Sequence, residues 1–189
     1  MCRRMENRSL KDLSLKELWE LFPITLEPYN PEWSKWAESE IESLYQLLGD
    51  SVESMHHIGS TAVKGIYAKP IVDLLLLTDT NESWSDIRSV MERNGYICMS
   101  ESSSVMSFNK GYTPTGYAEK VFHIHFRLTG DDNQILFRDY LNAHPDTADE
   151  YQRLKLGLLP LYKNDRDGYT DAKTDFVKRV LKQARNEYT

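Results

Sequence analysis

Cysteine is scarce in this chain: Cys2 and Cys98 are its two cysteines among 189 residues, and no CxxC pair is present. Neither a disulfide framework nor a zinc ribbon can be read from that spacing, and it fits a reducing, cytoplasmic setting. Long apolar runs are missing too, none approaching the ~20 residues that a membrane helix needs. The opening MCRRMENRSLKDLSLKELWELF has basic residues but no unbroken apolar stretch, so a secretory signal is not expected. Surplus positive charge is also absent: 23 Lys and Arg against 29 Asp and Glu leave a formal net charge of -6. Sequence-independent nucleic-acid binding rests on such a surplus, so no general affinity of that kind is expected, though a local basic pocket remains compatible with the charge. There is no internal repeat or low-complexity tract.

What is present is the composition of a soluble globular protein, 40% apolar and 28% charged, long enough to bury one sizeable core. Leu10, Leu13, Leu15, Leu18 and Leu21 recur at helical spacing, which predicts an amphipathic helix within an N-terminal arm over residues 1–22. Residues 23–189 are expected to form one domain, with a sheet core over about 23–130 and a helical part over about 131–189. ITLEPY suggests a short strand. Asn30-Pro31 reads as a helix start, a cap followed by a proline at the first helical position, and that helix should run to Leu48 and stop at Gly49. VESMHHI predicts a strand, and NESWSDIRSVMERNG a helix capped by Asn81 and stopped at Asn94-Gly95. YICMS, VMSFNKG and KVFHIHFRL alternate as strands do, with YTPTGYAE as a hairpin loop between the last two. Three helices are expected after Asp131: NQILFRDYLNAH, then DTADEYQRLKLGLLPLYK, which Pro160 should kink or end, then TDAKTDFVKRVLKQARNEY. The layout is an α+β fold, a mixed sheet flanked by helices with further helices at the C-terminus.

Asp73 is the anomaly. It sits inside Ile71-Val72-Asp73-Leu74-Leu75-Leu76-Leu77, and an ionised carboxylate in such a strand costs several kcal/mol unless it is paired, hydrogen-bonded or bound to a metal. Either it pairs with Lys69 or Arg127 at the sheet's end, or it projects beside the turn Gly59-Ser60-Thr61 to hold a divalent metal against phosphates. That turn is either a plain Gly-Ser connection or an anion-binding concavity of backbone amides and hydroxyls. His123 and His125 alternate onto one strand face, where they form an internally bonded polar surface, serve as metal ligands, or supply a general base. His57, before the turn, is a further candidate.

The Gly-Ser pair followed about a dozen residues later by a strand aspartate resembles the signature of the nucleotidyltransferase superfamily. HIGSTAVKGIYAKPIVDLLL is similar to the diagnostic segment of the GrpB-like family within it. The likeness extends to ITLEPYNPEWSKWAESEI, FHIHF, FRDYLNAHPDTADEYQRLK and YTDAKTDFVKRVL, covering Ile24 to about Ala184. The resemblance implies a nucleotidyltransferase-like core and a metal-dependent transfer of a nucleoside monophosphate from a nucleoside triphosphate to an acceptor. It implies Asp73 as metal ligand and catalytic residue; the third acid that the superfamily carries on a neighbouring strand is not evident, and His123 and His125, placed on one face by alternation, would join Asp73 instead. Gly59, Ser60, Thr61, Lys69, Arg127, Arg138, Lys155 and Lys173 would be the phosphate-binding set. The metal would be Mg²⁺ or Mn²⁺, or Zn²⁺ or Fe²⁺ if the histidines ligate.

Tyr140, Tyr151 and Tyr169 lie near these cations in the sequence and offer rings for a base. Two positions depart from the family pattern. Leu75 stands where the superfamily carries a second acid, and Lys64 replaces a proline after GSTAV, which would add a cation at the pocket mouth. With Leu75 there, a non-catalytic module binding a nucleotide or another phosphorylated small molecule is the rival reading, and a metal-dependent hydrolase using Asp73, His123 and His125 is a third.

Overall fold

The computed structural model describes residues 10–188, apart from the side chain of Lys11, so residues 1–9 of the expected arm and Cys2 lie outside it. A short 3-10 turn, Leu10–Asp12, leads into α1 (Leu15–Leu21), whose first turn is closed by a capping box between Ser14 and Glu17. The leucine face predicted there is divided: Leu15 is exposed, while Leu18 and Leu21 are half-buried. ITLEPY is not a strand; it contributes a lone bridge between Glu27 and Ala68. The Asn30 carboxamide oxygen accepts from the Glu32 N–H at 3.0 Å and so starts α2 (Glu32–Leu48), which stops at Gly49 with φ 51°.

Five strands follow: β1 (Ser54–Ile58), β2 (Val72–Thr78), β3 (Ile97–Glu101), β4 (Val105–Thr113) and β5 (Gly116–Leu128). They form one mixed sheet in the order β1-β2-β5-β4-β3, in which β2 and β5 alone run parallel. Between β2 and β3 lies α3 (Trp84–Arg93). Asn81 is not its cap: the Asn81 amide donates instead to the Ser103 carbonyl at 2.6 Å. The predicted loop YTPTGYAE shrinks to Pro114 and Thr115, because the strands run on to either side of a tight hairpin.

After β5 come α4 (Asn133–Ala143), α5 (Pro145–Tyr162), α6 (Arg166–Asp171) and α7 (Thr174–Tyr188). Pro160 is accommodated near the end of α5. The last segment, read as one helix, is broken at Ala172-Lys173 into α6 and α7. No helix among the described residues is long and apolar enough to cross a membrane.

Strand alternation gives the sheet two different faces. Val72, Leu74 and Leu76 join Phe122, Ile124 and Phe126 in the main core, against Trp33, Ala37 and Leu44 of α2 and Ile87 and Met91 of α3. Each fully buried large side chain there contributes about 1.5–3 kcal/mol. The opposite face carries Asp73, Leu75 and Leu77 of β2 beside His123, His125 and Arg127 of β5, in the register Asp73↔His123 and Leu75↔His125. α4, α5 and α7 pack around a smaller cluster over this face. Leu75 is fully buried with Ile58 and Leu77, against Ile135.

A register irregularity between Lys110 and Tyr112 changes which face Tyr112 joins. Lys110 points to the α2 side and reaches Glu40, yet two residues on Tyr112 meets His123 on the other side. Gly111 permits this with φ 89°; a Cβ there would lie 2.3 Å from the Lys120 carbonyl oxygen. Gly111→Ala is therefore expected to lower stability by about 2 kcal/mol or more in urea unfolding, a loss well above that of an ordinary surface substitution.

Candidate active site

The carboxylate on β2 is answered by its parallel neighbour. Asp73 Oδ1 lies 3.1 Å from His125 Nε2 and 3.3 Å from His123 Nδ1, so it pairs with neither Lys69 nor Arg127. Burial alone would raise the Asp73 carboxyl, but hydrogen bonds and charge from the two imidazoles outweigh it and hold the carboxyl well below the usual range. Gly59, with φ 72°, closes the site from β1: a Cβ there would stand 2.6 Å from Asp73 Oδ2, so the approach requires glycine. The Asp73 side chain keeps 27% of its surface and each imidazole 23%, so the cluster is reachable from outside.

His123 is held from behind. Tyr112 OH sits 2.8 Å from His123 Nε2, and Arg166 Nη1 donates to the Tyr112 oxygen at 2.9 Å. The ionised Asp73 carboxylate only accepts, so Nδ1 carries the proton that faces it, and Nε2 of the neutral ring then accepts from the Tyr112 hydroxyl, whose oxygen takes the Arg166 bond. Arg166 also donates to Tyr117 OH, and Phe22, just past α1, packs on both tyrosine rings at 4.8 and 5.0 Å.

This cluster opens into a cavity of about 410 Å³ together with Gly59, Ser60, Lys69, Lys155 and Lys173. Its walls include Gln134 and Phe137 of α4, Tyr151 of α5, Tyr169 of α6, and Val177 and Leu181 of α7. The lysines come from three separate parts of the chain, the loop before β2, α5 and the junction between α6 and α7. Lys155 is 2% exposed and donates to the Tyr67 carbonyl, while Lys69 and Lys173 stand 4.5 and 4.6 Å from the Tyr169 ring centre. Burial, followed by repulsion from Lys173 and Arg166, pushes Lys69 down to about 7; burial, followed by repulsion from Lys173 and Lys69, does the same to Lys155. Lys173 is lowered as well, chiefly by burial. Three lysine amines around one carboxylate make a site that an added anion would favour in its charged form.

Other expected residues lie elsewhere. Thr61 is buried, with Oγ1 2.9 Å from His57 Nε2, and burial lowers that imidazole to about 4, so this pair is an internal tie of the turn. Arg138 donates to the His57 carbonyl at 2.8 Å and pairs with Asp139. Arg127 shares the face of the histidines but is opposite Leu77, farther along the strand, where it donates to the Phe126 carbonyl and faces Asp131. Tyr140 stacks on His144 at 3.9 Å rather than lining the cavity. Lys64 borders a separate, open depression with Asn142 and Pro145, so it adds no cation at this mouth. Sequence reading missed Tyr112, Arg166 and Gln134. Only the proximity of Tyr112 to a Gly in a strand pointed to any of them.

The donor atoms of Asp73, His123 and His125 all lie within 4.8 Å of one another, a group that could hold a metal ion. One carboxylate and two imidazoles suit Mn²⁺, Fe²⁺ or Zn²⁺ better than Mg²⁺, which favours oxygen donors. To offer Nδ1 to a cation, His123 must carry its proton on Nε2 and donate it to Tyr112 oxygen, which has a second lone pair for it. Tyr112→Phe is accordingly expected to weaken Mn²⁺ or Zn²⁺ binding by about tenfold or more, measured by calorimetry.

The lysines set a pH dependence of stability. Unfolded lysine keeps its proton up to its ordinary value of 10.5, whereas Lys69 and Lys155 lose theirs near 7 in the fold. Between those values the unfolded chain binds more protons, so stability rises with pH. The melting temperature is expected to climb from pH 7 to about pH 9.5, below the range where exposed tyrosines ionise. Lys155→Met should flatten that climb.

Comparison with known proteins agrees with this architecture. The model of the GrpB protein family matches residues 23–183. The UPF0157 protein PA4798 of Pseudomonas aeruginosa is 35% identical over 164 residues, 85% of this chain and 67% of that protein. The UPF0157 protein YqkA of Bacillus subtilis is 30% identical over 176 residues, 92% of this chain, which spans half of that relative's length. The crystal structure of the conserved protein GrpB from Enterococcus faecalis superposes with a TM-score of 0.76 at 30% identity, covering 87% of this chain and 99% of the other. Cid1 in complex with its short product ApU superposes with a TM-score of 0.50 at 13% identity, over 75% of this chain and 43% of the other, a likeness of fold alone. The sequence match over most of the chain and the shared nucleotidyltransferase-like fold give one answer: the chain belongs to the GrpB family.

Proposed function

We propose that this protein is a metal-dependent nucleotidyltransferase that moves a nucleoside monophosphate from a nucleoside triphosphate to an acceptor hydroxyl. The observation that carries the reading is one cavity that brings Asp73, His123 and His125 together with Ser60, the buried Lys155 and the half-buried Lys69 and Lys173. A triphosphate supplies the negative charge that this cavity lacks, and phosphoryl transfer is catalysed chiefly by positioning and charge neutralisation. Asp73, His123 and His125 would hold the metal, which when bound neutralises phosphate charge and acidifies the acceptor hydroxyl. Lys69, Lys155 and Lys173 take the outer phosphates, and Ser60 at the Gly59 turn donates to them. The acceptor oxygen forms a bond to the α-phosphorus, the bond from that phosphorus to the bridging oxygen breaks, pyrophosphate leaves, and the hydroxyl proton passes to solvent. Residues 23–189 act as one domain in this reading, and the described part of the arm, residues 10–22, braces Tyr112 and Tyr117 through Phe22.

The rival reading, a module that binds phosphorylated ligands without transfer, draws on Leu75. A carboxylate at this fully buried position would displace the contact with Ile58 and Leu77 and cost several kcal/mol, so the fold has no room for the usual second acid. Thermal shift with each of the four ribonucleoside triphosphates and Mg²⁺, Mn²⁺ or Zn²⁺ tests binding, and pyrophosphate release tests transfer. A metal-dependent rise in melting temperature that is absent in Asp73→Asn, with pyrophosphate formed, is the expected outcome. The same rise without pyrophosphate under any acceptor condition favours the module, and no shift with any combination refutes both readings.

A further inference from the structure

We infer that the cavity reads the base of its nucleotide through Gln134, at the end remote from the lysines, a reading that rests on the proposed nucleotide function. Two buried polar atoms on the cavity wall have no hydrogen-bond partner among the described residues, Gln134 Oε1 and Tyr169 OH. An unsatisfied buried polar atom is costly, so each marks a place where a ligand group restores what folding removed.

The two atoms lie in contrasting surroundings. Tyr169 has Lys69 and Lys173 over its ring, and burial keeps its phenol protonated, so its O–H is a donor in a cationic corner. An anionic oxygen completes it. Gln134 lies in the first turn of α4, where Phe137 from the same helix and Val177 and Leu181 from α7 make an apolar wall around one carboxamide. A flat ring with a hydrogen-bonding edge suits that slot, and a phosphate does not. Asn133, its neighbour, is already engaged, accepting from Arg185 and donating to Asp131.

α7 serves as a ruler between the two ends. Lys173 precedes its first turn, Leu181 lies two turns further on, about 12 Å along the axis, and Arg185 then reaches α4 at Asn133. The strands agree: Lys69 precedes the start of β2, α4 follows the end of the parallel β5, and the Asp73 cluster lies between. The order is lysines, then metal-binding cluster, then carboxamide. In a nucleoside triphosphate the outer phosphates, the α-phosphate and the base follow in the same order, with the reacting phosphorus at the cluster.

The test is calorimetry in the presence of Mn²⁺ with ATP, GTP, CTP, UTP and inorganic tripolyphosphate, on wild type, Gln134→Leu, Gln134→Glu and Tyr169→Phe. Wild type is expected to bind its preferred nucleotide about tenfold more tightly than tripolyphosphate. Gln134→Leu should remove most of that margin and level the four bases, leaving tripolyphosphate affinity unchanged. Its fold is checked by its melting temperature without ligand, which should hold or rise because an orphaned atom is gone. Gln134→Glu, which accepts but no longer donates, should alter the order of preference even if the leucine variant fails to fold. Tyr169→Phe should weaken nucleotides and tripolyphosphate alike. A base preference that survives both Gln134 variants overturns the inference, as does wild type binding tripolyphosphate as tightly as every nucleotide, which leaves the phosphate site standing. Failure of all five ligands to bind refutes the nucleotide reading beneath it.

Discussion

A charged carboxylate inside an apolar strand is the constraint around which this protein is built. Asp73 is tolerated because β5 runs parallel beside β2 in the register that places His123 opposite it and His125 two residues further on, both turned to the same face. A slip of one residue would send the imidazoles into the phenylalanine-rich core and leave the carboxylate unpaired among leucines. Sheet register and the existence of the site are therefore one property. The hairpin of β4 and β5 extends it, since the irregularity at Gly111 brings Tyr112 round to hold the back of His123, and Arg166 from a distant helix holds Tyr112.

The lysine cavity is the electrostatic counterpart. In the free protein its cations are destabilised by burial and by one another, which is why two of them sit near neutrality in pKa. Under the proposed function an incoming polyanion would reverse the balance: it would recharge the lysines, and a cation held by Asp73, His123 and His125 would offset its remaining charge. Metal and phosphate are then expected to bind cooperatively, each removing a cost that the other would meet alone. With Leu75 buried beside it, Asp73 would be the one carboxylate on this face of β2, which would make such a coupling more important.

Much of this was legible in the sequence because it depends on local rules. Period-two alternation placed His123 and His125 on one face, and the leucine run marked Asp73 as an exception; Gly59 was read as part of an anion-binding turn, whereas the group packed against it in the fold is the Asp73 carboxylate. Residue type was read better than direction: Thr61, Arg138 and Arg127 have suitable chemistry, but their side chains are used by His57, a β1 carbonyl and Asp131. Tyr112 was hidden because a register irregularity overrode alternation. Arg166 and Gln134 were hidden because their positions depend on how α4 and α6 pack over the sheet, which no local pattern reports. The break between α6 and α7 escaped for a related reason: Lys173 occupies a helix junction within a segment whose apolar spacing reads as continuous.

The central claim is that Asp73, His123 and His125 jointly hold a divalent metal beneath a phosphate-binding cavity. Anomalous diffraction from crystals grown with Mn²⁺ and a non-hydrolysable nucleoside triphosphate tests it most directly. The expected result is one strong peak about 2.0–2.3 Å from Asp73 oxygen, His123 Nδ1 and His125 Nε2, with phosphate density reaching Lys69, Lys155 and Lys173. A peak elsewhere, or an intact Asp73–imidazole cluster with no metal at saturating Mn²⁺, would contradict it.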